Sequence, residues 1–73
     1  MGGLPQVRPD RLVRALQRVG LIIARQHGSH VLLRRDDVRT VIPMHAARDV
    51  PKGTLARISR DVGPSGDELR ALL

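Results

Sequence analysis

The sequence predicts an α+β domain in the order α-β-β-β-α, a three-stranded antiparallel sheet with both helices on one face. Three observations predict it. Apolar residues recur at helical spacing near both ends of the chain, at Leu12, Val13, Leu16 and Val19 and again at Leu55, Ile58 and Val62. Between them lie three short segments rich in β-branched residues, separated by turn residues at Gly28 and at Asp36-Asp37. The chain has 73 residues, and a domain of that size buries only about 60% of the surface its unfolded chain exposes. A core that small covers one face of a sheet and leaves the other open as a working surface.

The elements follow in order. Residues 1–8, with Gly2, Gly3 and Pro5, read as a flexible lead-in, and residues 9–73 as one domain. Pro9 suits a first helical turn, where its missing N–H costs nothing. Asp10 places a negative charge near the positive end of the helix dipole. Gly20 suits the position just past the helix end, so the first helix is expected over 9–19. The strands are expected over Leu21–Gln26, His30–Arg35 and Val38–Ile42, the last ended by Pro43. Alternation in the middle strand puts His30, Leu32 and Arg34 on one face and Ser29, Val31, Leu33 and Arg35 on the other. Residues 44–51 read as a loop, and the second helix as running from Lys52 to a stop at Gly63-Pro64. Ser65-Gly66-Asp67-Glu68 has the pattern of a capping box and predicts a further helical turn before Leu69, Leu72 and Leu73.

Composition narrows the function. Thirteen basic residues, twelve of them Arg, stand against seven acidic ones, for a net charge of +6. Arginine's planar fork matches a phosphate bidentately. The excess points to a polyanionic partner, nucleic acid first and a membrane surface second. There is no Phe, Tyr or Trp. The core is therefore built from Leu, Val, Ile and Ala, and no aromatic platform can stack on a base as the common single-strand binders require. There is no cysteine, which excludes disulfides, thiolate zinc sites and thiol catalysis. The longest apolar run, Gly20 to Ala24, is far too short to cross a bilayer. Met1-Gly2-Gly3-Leu4-Pro5 lacks the plan of a signal peptide, so a cytoplasmic protein is expected.

Three histidines, His27, His30 and His45, can carry proton chemistry, because imidazole titrates near neutrality. Ser29 and Ser59 have no base at a diagnostic spacing. On a continuous strand His27-x-x-His30 would put the two rings on opposite faces, so a shared metal is not expected, nor any cofactor. Gly28 permits a sharp turn just before the second strand, which presents His30 at its start. On residue types alone His30 reads as a surface histidine with no role; the same holds for His27 and His45, and for His27 this is the preferred reading.

Four segments together resemble the HicA family of toxins from bacterial toxin–antitoxin pairs. They are Leu12-Val13-Arg14-Ala15-Leu16 to Val19-Gly20, then Gln26-His27-Gly28-Ser29-His30 with its Gly-Ser-His, then Val41-Ile42-Pro43-Met44-His45, and Lys52-Gly53-Thr54-Leu55 through Ile58 to Val62-Gly63. The resemblance spans roughly residues 9 to 63. It implies a fold like a double-stranded-RNA-binding domain, ribosome-independent cleavage of messenger RNA, and a HicB antitoxin that blocks the active site. It assigns the catalytic role to His30. The family usually has Phe where this chain has Leu21, and often an aromatic where it has Leu33; both are expected core positions.

With this resemblance, His30 is expected to transfer a proton while the ribose 2′-OH attacks the adjacent phosphorus, with no metal. Arg25, Arg34, Arg39 and Lys52 are candidates to hold RNA phosphates and stabilise charge, with Ser29 beside them. His45 is a candidate RNA contact, and a second proton-transfer role for it stays open. Two other classes of function fit the same residues: a non-catalytic RNA-binding module, and an interaction domain for an acidic protein.

Overall fold

A Schellman motif ends the first helix, and it shows how local sequence sets the frame. In the computed structural model, which describes residues 7–45, 48–63 and 71, helix α1 spans Pro9–Arg18. Gly20 has a φ of 100°, its N–H bonds the Gln17 carbonyl at 3.1 Å, and the Leu21 N–H bonds the Leu16 carbonyl at 3.0 Å. Leu16 and Leu21 are both buried, supplying the apolar contact that accompanies this cap. The Arg35 guanidinium, from the far end of the second strand, donates to the Val19 carbonyl. The backbone angle requires glycine, and a side chain at Gly20 would also crowd the end of Arg35 at 3.0 Å.

The sheet has the order β1-β2-β3, with β1 at Ile22–His27, β2 at His30–Arg35 and β3 at Val38–Pro43, both pairings antiparallel. Two-residue turns join the strands. Gly28 takes the first with a φ of 57°, and Asp36, at 54°, takes the second. Aspartate tolerates this left-handed conformation better than most residues. Helix α2 follows at Lys52–Val62, giving the expected α-β-β-β-α order. The expected turn after Gly63 lies outside the described residues, apart from Ala71, which is helical.

One apolar cluster holds these elements together. It takes Leu12, Val13, Ala15, Leu16 and Val19 from α1, Val31, Leu33 and Ile42 from the sheet, and Leu55, Ile58 and Val62 from α2. Both helices thus cover the same sheet face. Leu21 and Leu33 are 1% and 0% exposed, as expected of core positions. Strand β1 contributes nothing buried: Ile22 is 60% exposed and Ile23 46%. It is an edge strand, with Ile22 opposite Arg34 on the sheet face away from the helices and Ile23 opposite Leu33 at the sheet's margin, which its apolar composition did not reveal. The expected lead-in also differs from the structure at its end. Val7 is 4% exposed, and its carbonyl accepts from the Val50 N–H at 2.8 Å. Arg8 pairs with Asp49 at 3.5 Å. These partners lie more than forty residues away in sequence, so a local reading of Gly and Pro could not find them.

A polar network docks α2 on β3. Thr40 is 2% exposed and its hydroxyl donates to Asp61 Oδ2 at 3.0 Å. Arg57 donates to the same oxygen at 2.7 Å and to the Val41 carbonyl at 2.7 Å. Removing the shared acceptor leaves the buried hydroxyl unpaired, at a cost of about 1–3 kcal/mol. Asp61→Ala is therefore expected to lower the unfolding free energy measured in urea by that amount. Adding Thr40→Val should recover part of the loss, because an apolar isostere needs no partner. Purely additive destabilisation in the double variant would refute this account of the network.

Candidate functional site

The open face is set by the buried one. Val31 and Leu33 point into the core, so His30, Leu32 and Arg34 point away from it, as the alternation predicted. Residues directly opposite in a ladder share a face, and the register extends this face across three strands. Arg34 lies opposite Ile22 on one side and Arg39 on the other, Leu32 opposite Arg25 and Val41, and His30 opposite His27 and Pro43. The face thus has a basic end at Arg34 and Arg39, an apolar middle flanked by Arg25, and an imidazole end. Arg25, Arg34, Arg39, His27 and His30 are all exposed.

Two local features of β1 produce this arrangement. The register shifts between Ile23 and Arg25, leaving Ala24 as the extra residue of a β-bulge. Without it, alternation from Ile22 would send Arg25 and His27 to the core side; the bulge returns both to the open face. The Gly28-Ser29 turn then closes the hairpin directly, so His27 and His30 face each other. The expectation that they lie on opposite faces is thereby corrected. It assumed one strand through both, whereas the chain reverses between them. Among the described residues, no group of three or more His, Cys, Asp or Glu side chains is placed to hold a metal ion.

The remaining candidates gather at the imidazole end without joining the face itself. The Ser29 carbonyl accepts from the Met44 N–H, which carries the β2–β3 ladder one step past His30 and brings exposed His45 to this end. The Arg48 N–H then bonds the His45 carbonyl at 3.0 Å and turns the chain toward α2. Lys52 is the first residue of α2. Arg57 meets Val41 and Asp61 meets Thr40, so α2 runs antiparallel to β3 and starts near the Pro43 end. Helix α1 has the same polarity: its C-terminus meets Arg35 at the far end of β2, while Pro9 and Asp10 line a groove with Met44. Both helices therefore begin at the histidine end of the sheet, on the opposite face, each N-terminus equivalent to roughly +0.5 of a charge. Asp10 offsets part of this at α1, and α2 has no acidic residue in its first turn. Sequence reading missed this, because helix direction relative to the sheet is a tertiary fact.

Not every arginine serves the face. Arg35 and Arg57 bond backbone carbonyls and tie elements together. Arg11, Arg14 and Arg18 line a separate groove along α1 with Arg8, in the helix layer rather than on the open face.

The family profile described as the HicA toxin of bacterial toxin–antitoxin systems matches residues 9–63. The chain belongs to the HicA toxin family. The match runs from the first residue of α1 to the glycine that ends α2, so it contains the whole sheet and the histidine end. No curated protein matches the chain. Family membership makes this HicA chain a toxin of a toxin–antitoxin system, a class that acts with an antitoxin partner. Among the described residues, no helix is long and apolar enough to cross a membrane.

Gly28 is the hinge of this site in a HicA chain. Nothing lies within 4 Å of where its Cβ would be, so any cost of substitution comes from the positive φ alone. Gly28→Ala is expected to cost about 1–2 kcal/mol, while Gly28→Asn, which tolerates that conformation, should stay closer to the parent in urea denaturation. Equal losses for both would show that something other than backbone angle constrains the turn.

Proposed function

We propose that this chain is an RNA-cutting toxin in which His30 transfers a proton during cleavage of messenger RNA. The carrying observation is that His30 stands exposed on an open, arginine-bearing face, at the end of the sheet where both helices begin. An RNA phosphate is attracted there, and an imidazole meets it. HicA family membership supports the same reading.

The chemistry needs three contributions. The ribose 2′-OH attacks the adjacent phosphorus and gives up its proton to a base. The bond from phosphorus to the 5′-oxygen breaks, and an acid protonates that oxygen. Fixed cations stabilise the charge that builds on the phosphorane. His30 supplies proton transfer, and Arg25, Arg34 and Arg39 hold the backbone along the strand. Ser29, His45 and Lys52 contact the RNA at the histidine end. The products are a 2′,3′-cyclic phosphate and a 5′-hydroxyl. The antitoxin, a HicB-type protein, covers this face. Its contact surface is acidic, and exposed Ile22, beside Arg34, gives it an apolar anchor.

His30→Ala is expected to abolish cleavage of purified RNA in EDTA-containing buffer, with RNA binding largely retained. Its thermal melt should move little, since exposed substitutions usually change stability by less than about 0.5 kcal/mol. Parental cleavage by the variant would remove His30 from the mechanism, and parental cleavage that fails with chelator would indicate a metal-assisted route.

RNA affinity should fall steeply with salt, each phosphate contact adding about −0.7 to the slope of log K against log salt. Arg34→Ala or Arg39→Ala should flatten the slope by about one contact. A slope near zero in the parent would favour an interaction domain for an acidic protein, and salt-sensitive binding without turnover a non-catalytic RNA-binding module.

A further inference from the structure

We propose that His27 is the second proton-transfer group of this site, working with His30 as a pair across the β1–β2 hairpin. The inference rests on the RNA-cutting reading and deepens it. Transesterification moves two protons at different atoms: one leaves the 2′-oxygen and one reaches the 5′-oxygen. A single imidazole does both only by carrying the proton from one side of the phosphorus to the other. Two imidazoles do it in one step. One takes the 2′-OH proton and becomes imidazolium, while the other, already protonated, gives its proton to the leaving 5′-oxygen. The P–O2′ bond forms, the P–O5′ bond breaks, and the pair's net charge is unchanged.

The ladder register brings His27 into this role. It lies directly opposite His30, and such pairs have Cβ atoms about 4.5–5.5 Å apart on one face. Both side chains are exposed. The bulge at Ala24 is what turns His27 outward, and the positive φ of Gly28 closes the turn between the two. The other groups on the face cannot exchange a proton near neutral pH: Arg25, Arg34 and Arg39 keep theirs, and Leu32, Val41, Ile22 and Pro43 have none. No described carboxylate shares the face. Asp36 and Asp37 form the turn at the opposite end of the sheet, Asp49 pairs with Arg8, Asp61 is held by Arg57 and Thr40, and Asp10 lies on α1. His45 is the competitor. It lies past the end of the β3 ladder, where the chain turns away, so only His27 is fixed by strand pairing.

The test compares His27→Ala, His27→Lys, His45→Ala and His30→Ala with the parent. Single-turnover cleavage of a short RNA is followed across pH, and affinity is measured on the same RNA with a 2′-deoxyribose at the cut site. We expect His27→Ala to slow cleavage about 10²–10⁴-fold, to change affinity for the uncleavable RNA less than about twofold, and to convert a bell-shaped pH–rate profile into one with a single limb. His27→Lys should not restore the rate, because an ammonium with an ordinary pKa of about 10.4 is poorly matched to proton transfer near neutral pH. Full rescue by Lys would overturn the proposal in favour of a phosphate-holding cation. So would loss of a limb in His45→Ala but not in His27→Ala. A parental rate in His27→Ala with none in His30→Ala would overturn the pair and leave the RNA-cutting reading standing. Absence of cleavage by the parent, or parental cleavage by His30→Ala, would overturn that reading and the pair with it.

Discussion

The burial of Val31, Leu33 and Ile42 beneath both helices is the constraint on which the rest depends. Side chains alternate strictly along a strand, so committing Val31 and Leu33 to the core commits His30, Leu32 and Arg34 to the outside. A slip of one residue would drive His30 and Arg34 into an apolar interior and expose Leu33, which no chain of this size could tolerate. The functional face is therefore not built separately from the core but is its complement. With no aromatic residue available, the core relies on many small aliphatic contacts, and both helices are needed to supply them.

The same economy governs the charges. A net charge of +6 on so small a domain is self-repulsive, and the fold manages it by giving arginines different work. Arg35 and Arg57 reach backbone carbonyls at element junctions, and Arg57 shares Asp61 with buried Thr40. Arg25, Arg34 and Arg39 stand on the open face. The histidine end has Lys52 and Arg48 nearby, and both helices begin there. The helix N-termini add fixed partial positive charge at that end of the sheet, which costs no side-chain ordering when a ligand arrives.

Much of this was legible in the residues. The helical spacing of Leu12, Val13, Leu16 and Val19, the glycine after them, the turn at Asp36-Asp37 and the stop at Gly63 are all short-range signals, and the elements fall within a residue or so of where these signals put them. The alternation of β2 was legible for the same reason. Strand β1 was not. Its Ile22 and Ile23 have the composition of a buried strand, yet they lie on an uncovered edge. Its bulge at Ala24 leaves no mark that a period of two can detect.

By itself the sequence determined the order of elements, the choice of the core residues in the helices and β2, the excess of positive charge and the position of His30 just after a turn. Each of these depends on residues within a few positions of one another, where stereochemistry and hydrophobic period act directly. Only the tertiary structure decided that His27 faces His30, that Arg25 shares their face, that Val7 joins the core through Val50, and that both helices begin at the histidine end. These depend on ladder register, on a bulge and on the direction in which helices cross the sheet. Such features are fixed by contacts between distant segments, and no local pattern of residues encodes them.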